Sequence, residues 1–247
     1  VLGYDLVTSL TRIKKNVGVV PEGSNLYDEL SALDNLLFAM QLYGVPRHER
    51  KARAENLLER FGLSERGHTP FAKLSRGMKR ALTIAAALAH QPALIFLDEP
   101  TTGLDVMSAR NLRQMIANMR NEGVTVFLTT HYLEEAERLC DRVAIIVKGR
   151  IVALDTIANL SSSVQGKTIV EVTLVDKQGH EQKKRIECKD GVEIAIQKLL
   201  SEMKEQRLLA VDTLRPTLED VFVHLTGLSA EVMLTEKGEK GGRNAGG

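Results

Sequence analysis

Two periods of apolar residues divide this 247-residue chain, and the change falls near Ser161. Before that point, short unbroken apolar runs alternate with stretches of helical spacing. Residues 17–20, closed by Pro21, read as a buried strand. From Ala32 to about Gly62 the pattern is helical. Leu33, Leu36, Leu37 and Met40 share one face, Pro46 interrupts, and Ala54, Leu57, Leu58 and Phe61 share the face of a second helix. Ser75 opens a third helix, whose body, residues 81–89, is rich in Ala, Leu and Ile. Residues 93–97 are apolar throughout, as a central parallel strand requires. A helix over 106–120, a strand over 124–128, a helix over 132–139 and a strand over 143–147 follow. Strands alternating with helices predict βαβ units and a mainly parallel sheet. The helical stretch at about residues 32–90 contains no strand and reads as a subdomain inserted beside that sheet.

After Ser161 the period is two. Residues 169–175 alternate apolar and polar, residues 177–180 supply a turn, and 184–188 alternate again, which predicts a hairpin. A helix over 192–203 and a strand over 208–211 follow. A last helix over 217–225 is capped by Thr217, with Glu219 and Asp220 in its first turn. The pattern therefore divides into a larger α/β domain over residues 1–160 and a small accessory α/β domain over 161–228. The Gly- and Lys-rich remainder, 229–247, cannot bury apolar surface and is expected to be disordered.

Composition narrows the function. The chain is 43% hydrophobic and 26% charged, which suits a globular protein with a real core. A formal net charge of +1 gives no support to a nucleic-acid surface, so no nucleic acid is expected as a partner. Cys140 and Cys188 are the only cysteines, in no metal-ligand spacing, which fits a reduced compartment. No apolar run reaches membrane-spanning length and no signal peptide is visible, so a membrane role would come through a partner.

Four short blocks fall on the predicted elements in order. Leu74, Ser75, Arg76, Gly77 and Met78 open the third helix. Leu97-Asp98-Glu99-Pro100 ends the apolar strand, Gly103-Leu104-Asp105 lies in the turn beyond, and Thr130-His131 follows the next strand. Ligands of an open parallel sheet bind beyond the carboxyl ends of its strands. Two adjacent carboxylates there repel unless a cation or proton intervenes. A helix N-terminus offers free N–H groups and positive dipole charge to phosphate. Gly77 would let the backbone approach closely, and Ser75 adds a hydroxyl, although a plain serine N-cap accounts for it too.

Together these blocks resemble the signature, Walker B, D-loop and H-loop of ABC-type ATPases, over about residues 1–160. The resemblance implies a partial P-loop NTPase sheet with an inserted helical subdomain, and ATP and Mg²⁺ as cofactors. Asp98 would hold Mg²⁺, and Glu99 would orient and deprotonate the attacking water. His131 resembles the switch histidine that meets the γ-phosphate. Residues 74–78 would act on nucleotide held by a second ATPase subunit, and Asp105 is expected among the cofactor-binding residues. The usual Leu-Ser-Gly-Gly-Gln is altered at Arg76 and Met78, and Arg76, Lys79 and Arg80 are expected to add positive charge near the same phosphates. Glu22 stands at the Q-loop position in place of glutamine; ionised, it can bind Mg²⁺ or water but cannot donate a hydrogen bond.

No Gly-x-x-x-x-Gly-Lys-Ser/Thr loop precedes the blocks. The expectation is an ABC ATPase lacking its N-terminal Walker A part, and inactive as it stands. Gly166-Lys167-Thr168 imitates the end of such a loop, but Ser161 stands where its first glycine is needed and a β-like run follows instead of a helix. Residues 214–222, Leu-Arg-Pro-Thr-Leu-Glu-Asp-Val-Phe, followed by His224-Leu-Thr-Gly227, are similar to the end of daunorubicin-resistance-type exporter subunits. That likeness implies an ATPase on the cytoplasmic face of the membrane, held there by a separate integral membrane permease and powering export; a second ATPase subunit is expected, as a homodimer, with a heterodimer left open. Two other readings are a soluble ABC ATPase of translation or DNA repair, and a non-catalytic subunit lending only its signature in trans. The chain has no paired cassette and no coiled-coil or zinc insertion, against the first; it keeps Glu99 and His131, against the second. The transported substrate is not legible in this chain.

Overall fold

The computed structural model describes residues 1–164, 168–175, 180–188, 192–202, 207–214 and 216–227. It forms two compact units, Val1–Glu135 and Ala136–Gly247.

The first unit is built on a parallel sheet of β1 (Val17–Val20), β2 (Leu94–Asp98) and β3 (Thr125–Thr129), in that order. Val20 pairs with Leu97, Leu97 with Leu128 and Asp98 with Thr129, so the three carboxyl ends lie level. Ile95 and Leu97 are buried on one face, whereas Leu94 and Phe96 on the other are only half-buried and Val19 and Phe127 beside them are exposed, so the all-apolar strand is covered on one side. A short α1 (Leu10–Lys14) precedes β1. Between β1 and β2 the chain makes the predicted helical insert: α2 (Ala32–Leu42), α3 (Arg47–Arg60) and α4 (Arg76–Leu88). Leu36, Met40, Ala54, Leu82, Ile84 and Ala85 are fully buried and knit it together. Buried Asn35 is satisfied there: it accepts from Tyr27 N–H (2.9 Å) and donates to the carbonyls of Tyr27, Leu30 and Ser31. α5 (Val106–Asn121) carries the chain from β2 to β3. At the surface, Arg60 at the end of α3 meets Glu122 just past α5, with Nη2 2.7 Å from Oε1.

α6 (Leu133–Leu139) crosses from one unit to the other. In the second unit, β4 (Arg142–Val147) pairs antiparallel with β5 (Arg150–Thr156), and α7 (Ile157–Ser163) follows. This differs from the sequence expectation, in which residues 143–147 continued the parallel alternation. The reason is the two-residue turn Lys148-Gly149, both at positive φ (48° and 75°). Such a turn folds one strand back on the other and matches their right-handed twist. A three-stranded antiparallel sheet, ordered β7 (Glu181–Cys188), β6 (Thr168–Val175) and β8 (Arg207–Leu214), comes next. Val170, Val172 and Leu174 of β6 form its buried row with Cys188 and with Leu199 of α8 (Val192–Glu202). α9 (Leu218–Thr226) begins with a full capping box between Thr217 and Asp220. Its first free N–H, on Leu218, donates to Glu137 of α6. Of the sequence readings, turn residues 177–179, the pair Gly166-Lys167 and the tail 229–247 lie outside the described residues.

Candidate active site

The carboxyl ends of β2 and β3 bring the acidic pair and the histidine together. Asp98 closes β2 opposite Thr129, whose hydroxyl donates to Asp98 Oδ1. The next residue, Glu99, turns the chain sharply at φ 45°, a left-handed backbone unusual for a residue with a side chain. Its N–H donates to the Thr129 carbonyl at 3.1 Å. The turn aims the Glu99 carboxylate at His131, two residues past the end of β3. Nδ1 of His131 lies 2.8 Å from both carboxylate oxygens, and Thr102 Oγ1 donates to Oε2 at 3.2 Å. Side-chain exposure is 11% for Glu99 and 22% for His131, so the pair is partly shielded from water and interacts more strongly than a surface pair. An ionised carboxylate only accepts, so Nδ1 carries the proton. Nε2 is then an acceptor in the neutral ring and a donor in the doubly protonated ring. Tyr132 packs on the imidazole at 4.1 Å between ring centres.

Asp98 is exposed at this edge. Among the described residues no three His, Cys, Asp or Glu side chains gather into a metal cage. Mg²⁺ does not need one, because it keeps waters and takes one or two carboxylates together with substrate phosphates. An exposed Asp98 beside a shielded Glu99 fits that donor set. Glu22, two residues past β1, is also exposed.

One expectation is corrected at α4, whose Arg80 side chain reaches these strand ends. The Arg80 guanidinium does not extend toward a phosphate site. Nε donates to the Pro100 carbonyl at 2.9 Å, Nη1 to the carbonyls of Pro21 and Glu22, and Nη2 to that of Asp98. Burial lowers its pKa, opposed by the charges of Asp98 and Glu22; arginine remains cationic regardless. Lys79 sits 5.1 Å from the Phe71 ring centre.

Ser75 caps α4 by accepting from Met78 N–H at 3.3 Å. It is exposed along with Arg76, while Leu74 is buried. Asp105 caps α5: Oδ1 accepts from Ser108 N–H (2.9 Å) and Oδ2 from the Ser108 hydroxyl (2.7 Å). Those two bonds hold the exposed Asp105 carboxyl below the ordinary carboxylate range. Ser108 in turn abuts Gly77. A Cβ on Gly77 would stand 2.5 Å from Ser108 Oγ and 2.9 Å from its Cβ. The signature glycine thus makes room for a neighbouring helix of its own unit, a reason the sequence did not disclose. The candidate residues therefore form two groups: Asp98, Glu99 and His131 at the strand ends, and Ser75, Gly77 and Asp105 at two helix starts. Arg80 joins the first group to α4 and to Glu22. Sequence reasoning missed Thr129, Ser108 and the direction of Arg80. The spacing Asp105-x-x-Ser108, a capping pattern, was the available signal for Ser108.

A parallel sheet with an acidic pair and a histidine at its carboxyl edge, and a helical insert whose last helix starts with a capped serine, defines a nucleotide-binding ATPase of the ABC class. Residues 2–102 match the family model described as ABC transporter, and the chain belongs to the family of ABC transporter ATP-binding proteins. It is 35% identical over 245 residues to the linearmycin resistance ATP-binding protein LnrL of Bacillus subtilis (strain 168), covering 91% of this chain and 79% of that protein. It is 33% identical over 249 residues to the daunorubicin resistance ATP-binding protein DrrA3 of Streptomyces coeruleorubidus, covering 92% of this chain and 77% of that one. Among solved structures, an ATP binding subunit of an ABC transporter superposes with a TM-score of 0.59 at 31% identity, over 66% of this chain and 68% of that chain. The cbiO1 protein of Clostridium perfringens, part of the ABC transporter complex cbiONQ, superposes at 0.56 with 27% identity, over 61% of each.

Proposed function

We propose that this protein is the ATP-hydrolysing subunit of an exporter, working as a dimer whose two nucleotide sites each borrow the signature helix of the other subunit. The observation that carries the reading is the Glu99–His131 pair, 2.8 Å apart and shielded at the end of a parallel strand. Glu99 acts as general base toward water, and His131 keeps its carboxylate turned to one side of the cleft. Asp98 is the residue that would hold Mg²⁺, which when bound would neutralise charge on the phosphates. Ser75 and the free N–H groups at the start of α4 meet the phosphate of the partner's nucleotide. Glu22 is assigned a secondary contact to the metal's water shell.

The 247 residues hold no phosphate-loop lysine, so this chain alone is expected to bind ATP weakly. No described helix is long and apolar enough to cross a membrane, and we assign attachment to a separate permease at the cytoplasmic face. A shallow groove of about 190 Å³ in the first unit, lined by Tyr27, Phe38, Leu42 and Tyr43, suits such a contact. The side chains of Tyr27, Leu42 and Tyr43 are exposed there. Export rests on the likeness to the resistance proteins, and residues 161–228 are assigned an accessory part in assembly.

In the intact subunit, with a phosphate loop present, Glu99→Gln should cut turnover by about a hundredfold or more and leave nucleotide affinity within a few-fold. Phosphate release and titration of a fluorescent ATP analogue measure the two. Unchanged steady-state hydrolysis removes Glu99 from its role.

A further inference from the structure

Arg80 is the one cation of α4 whose donors are spent on main chain from two different strand ends. Two of its acceptors, the carbonyls of Asp98 and Pro100, belong to the residues on either side of Glu99. That residue carries the left-handed φ of 45°. From the opposite side, the Thr129 carbonyl takes the Glu99 N–H. The unusual backbone of Glu99 is therefore gripped before, at and after the kink. A right-handed φ at Glu99 would swing its Cβ away and carry the carboxylate off His131 Nδ1. A planar guanidinium presents five N–H groups in a fixed fork and can span acceptors on separate segments. A lysine ammonium is a compact point charge and cannot hold the same four carbonyls.

We propose that Arg80 is the positioning residue of the general base: by clamping the carbonyls that flank Glu99, it holds the strained turn that aims the carboxylate at His131. The inference rests on the reading of Glu99 as base, but the clamp itself can be measured without turnover. It also gives α4 a second task. The helix that begins with the signature serine sets, about one and a half turns later, the base of its own subunit.

The first test uses the 247-residue chain. Imidazole ¹⁵N spectra of the wild type should show His131 with a protonated, hydrogen-bonded Nδ1. In Arg80→Lys and Arg80→Gln that signature should be lost, while amide spectra elsewhere hold. An unchanged His131 signal in either folded variant, with Glu99→Gln altering it, overturns the clamp. Should neither variant fold, the wild type decides: Arg80 Nε–H, held on Pro100, should exchange with solvent far more slowly than an exposed arginine, and equal rates overturn the proposal. The second test uses the intact subunit. Arg80→Lys should lower kcat about tenfold or more with KM for ATP within about threefold. In a Glu99→Gln background it should add no further loss, because residues acting as a unit are not additive. A full additional loss there, or wild-type kcat in Arg80→Lys while Glu99→Gln is inactive, overturns the positioning role. If instead Glu99→Gln itself retains turnover, the reading of the base fails, and the ¹⁵N result still decides the clamp.

Discussion

Replacing Gly77 with alanine separates two reasons for a glycine at the signature. Gly77 is the second residue of α4 and does not occupy the left-handed region, so its backbone does not require glycine. By helix propensity alone, alanine should stabilise by up to about 1 kcal/mol. The new Cβ, however, would stand 2.5 Å from Ser108 Oγ and 2.9 Å from Ser108 Cβ. Ser108 cannot yield freely, because its hydroxyl and its N–H are both bound to Asp105. Overpacking of this kind costs about 1–3 kcal/mol. The balance runs from about zero to a net loss of about 3 kcal/mol, at about 2–4 °C in Tm per kcal/mol for a chain of this size. Ser108→Gly deletes both obstructing atoms, so Gly77→Ala made on that background should lose its penalty, a coupling of about 1 kcal/mol or more. Urea and thermal unfolding of the four proteins give the cycle. Additive effects of the two substitutions would refute the packing argument. The glycine would then be needed only for approach to a phosphate, and its loss would appear in nucleotide-driven dimerisation alone.

Three further outcomes follow from particular contacts. In the intact, hydrolysis-deficient subunit, Ser75→Arg should abolish ATP-driven dimerisation without preventing nucleotide binding, since it fills the exposed start of α4; an undiminished dimer in sedimentation would sink action in trans. Asn35→Ala should cost about 2–4 kcal/mol, because four main-chain partners lose it at a buried site. Asn35→Asp should fare no better, as a carboxylate cannot donate; a Tm within a degree of wild type would contradict this. His90 stacks on Tyr43 at 3.6 Å, donates Nε2–H to the Val17 carbonyl, has Arg53 donating to the adjacent Ala89 carbonyl, and leaves Nδ1 buried with no partner among the described residues. Burial holds its pKa below the ordinary 6.5, with the Val17 bond opposing. A depressed histidine pKa means the unfolded chain takes the proton first. Its stabilising contribution is complete above pH 6.5 and is lost as pH falls from there through the folded pKa. His90→Gln should flatten that loss between pH 7.5 and 5.5 in thermal melts; an equal loss in both proteins would count against it.

What could be read from the sequence was local. The all-apolar run before Asp98 specified a central strand, Ser75 and Thr217 specified helix starts, and the alternation around Val170 and Val172 specified a one-sided sheet. All are consequences of period and capping, which need no knowledge of distant partners. The acidic pair and His131 were legible because their positions at strand ends are themselves local. Arg80 was misread because only the placement of α4 over two strand ends decides whether its donors find phosphate or carbonyl. The pairing of β4 was misread because two residues, Lys148 and Gly149, reverse the chain where apolar content alone implied another parallel strand. The packing of Gly77 against Ser108 is not legible because the two are separated by about thirty residues of sequence.

The surface link between Arg60 and Glu122 bears on how firmly the helical insert is held. Its two side chains are 39% and 51% exposed, so breaking it costs on the order of 1 kcal/mol or less, and less still in salt. At the other end of the insert, α4 is fixed by an arginine gripping four carbonyls and by a helix start wedged against Ser108. The insert is thus held firmly at α4 and by a weak, salt-sensitive link at Arg60. Raising the ionic strength would loosen that link without touching Asp98, Glu99 or His131.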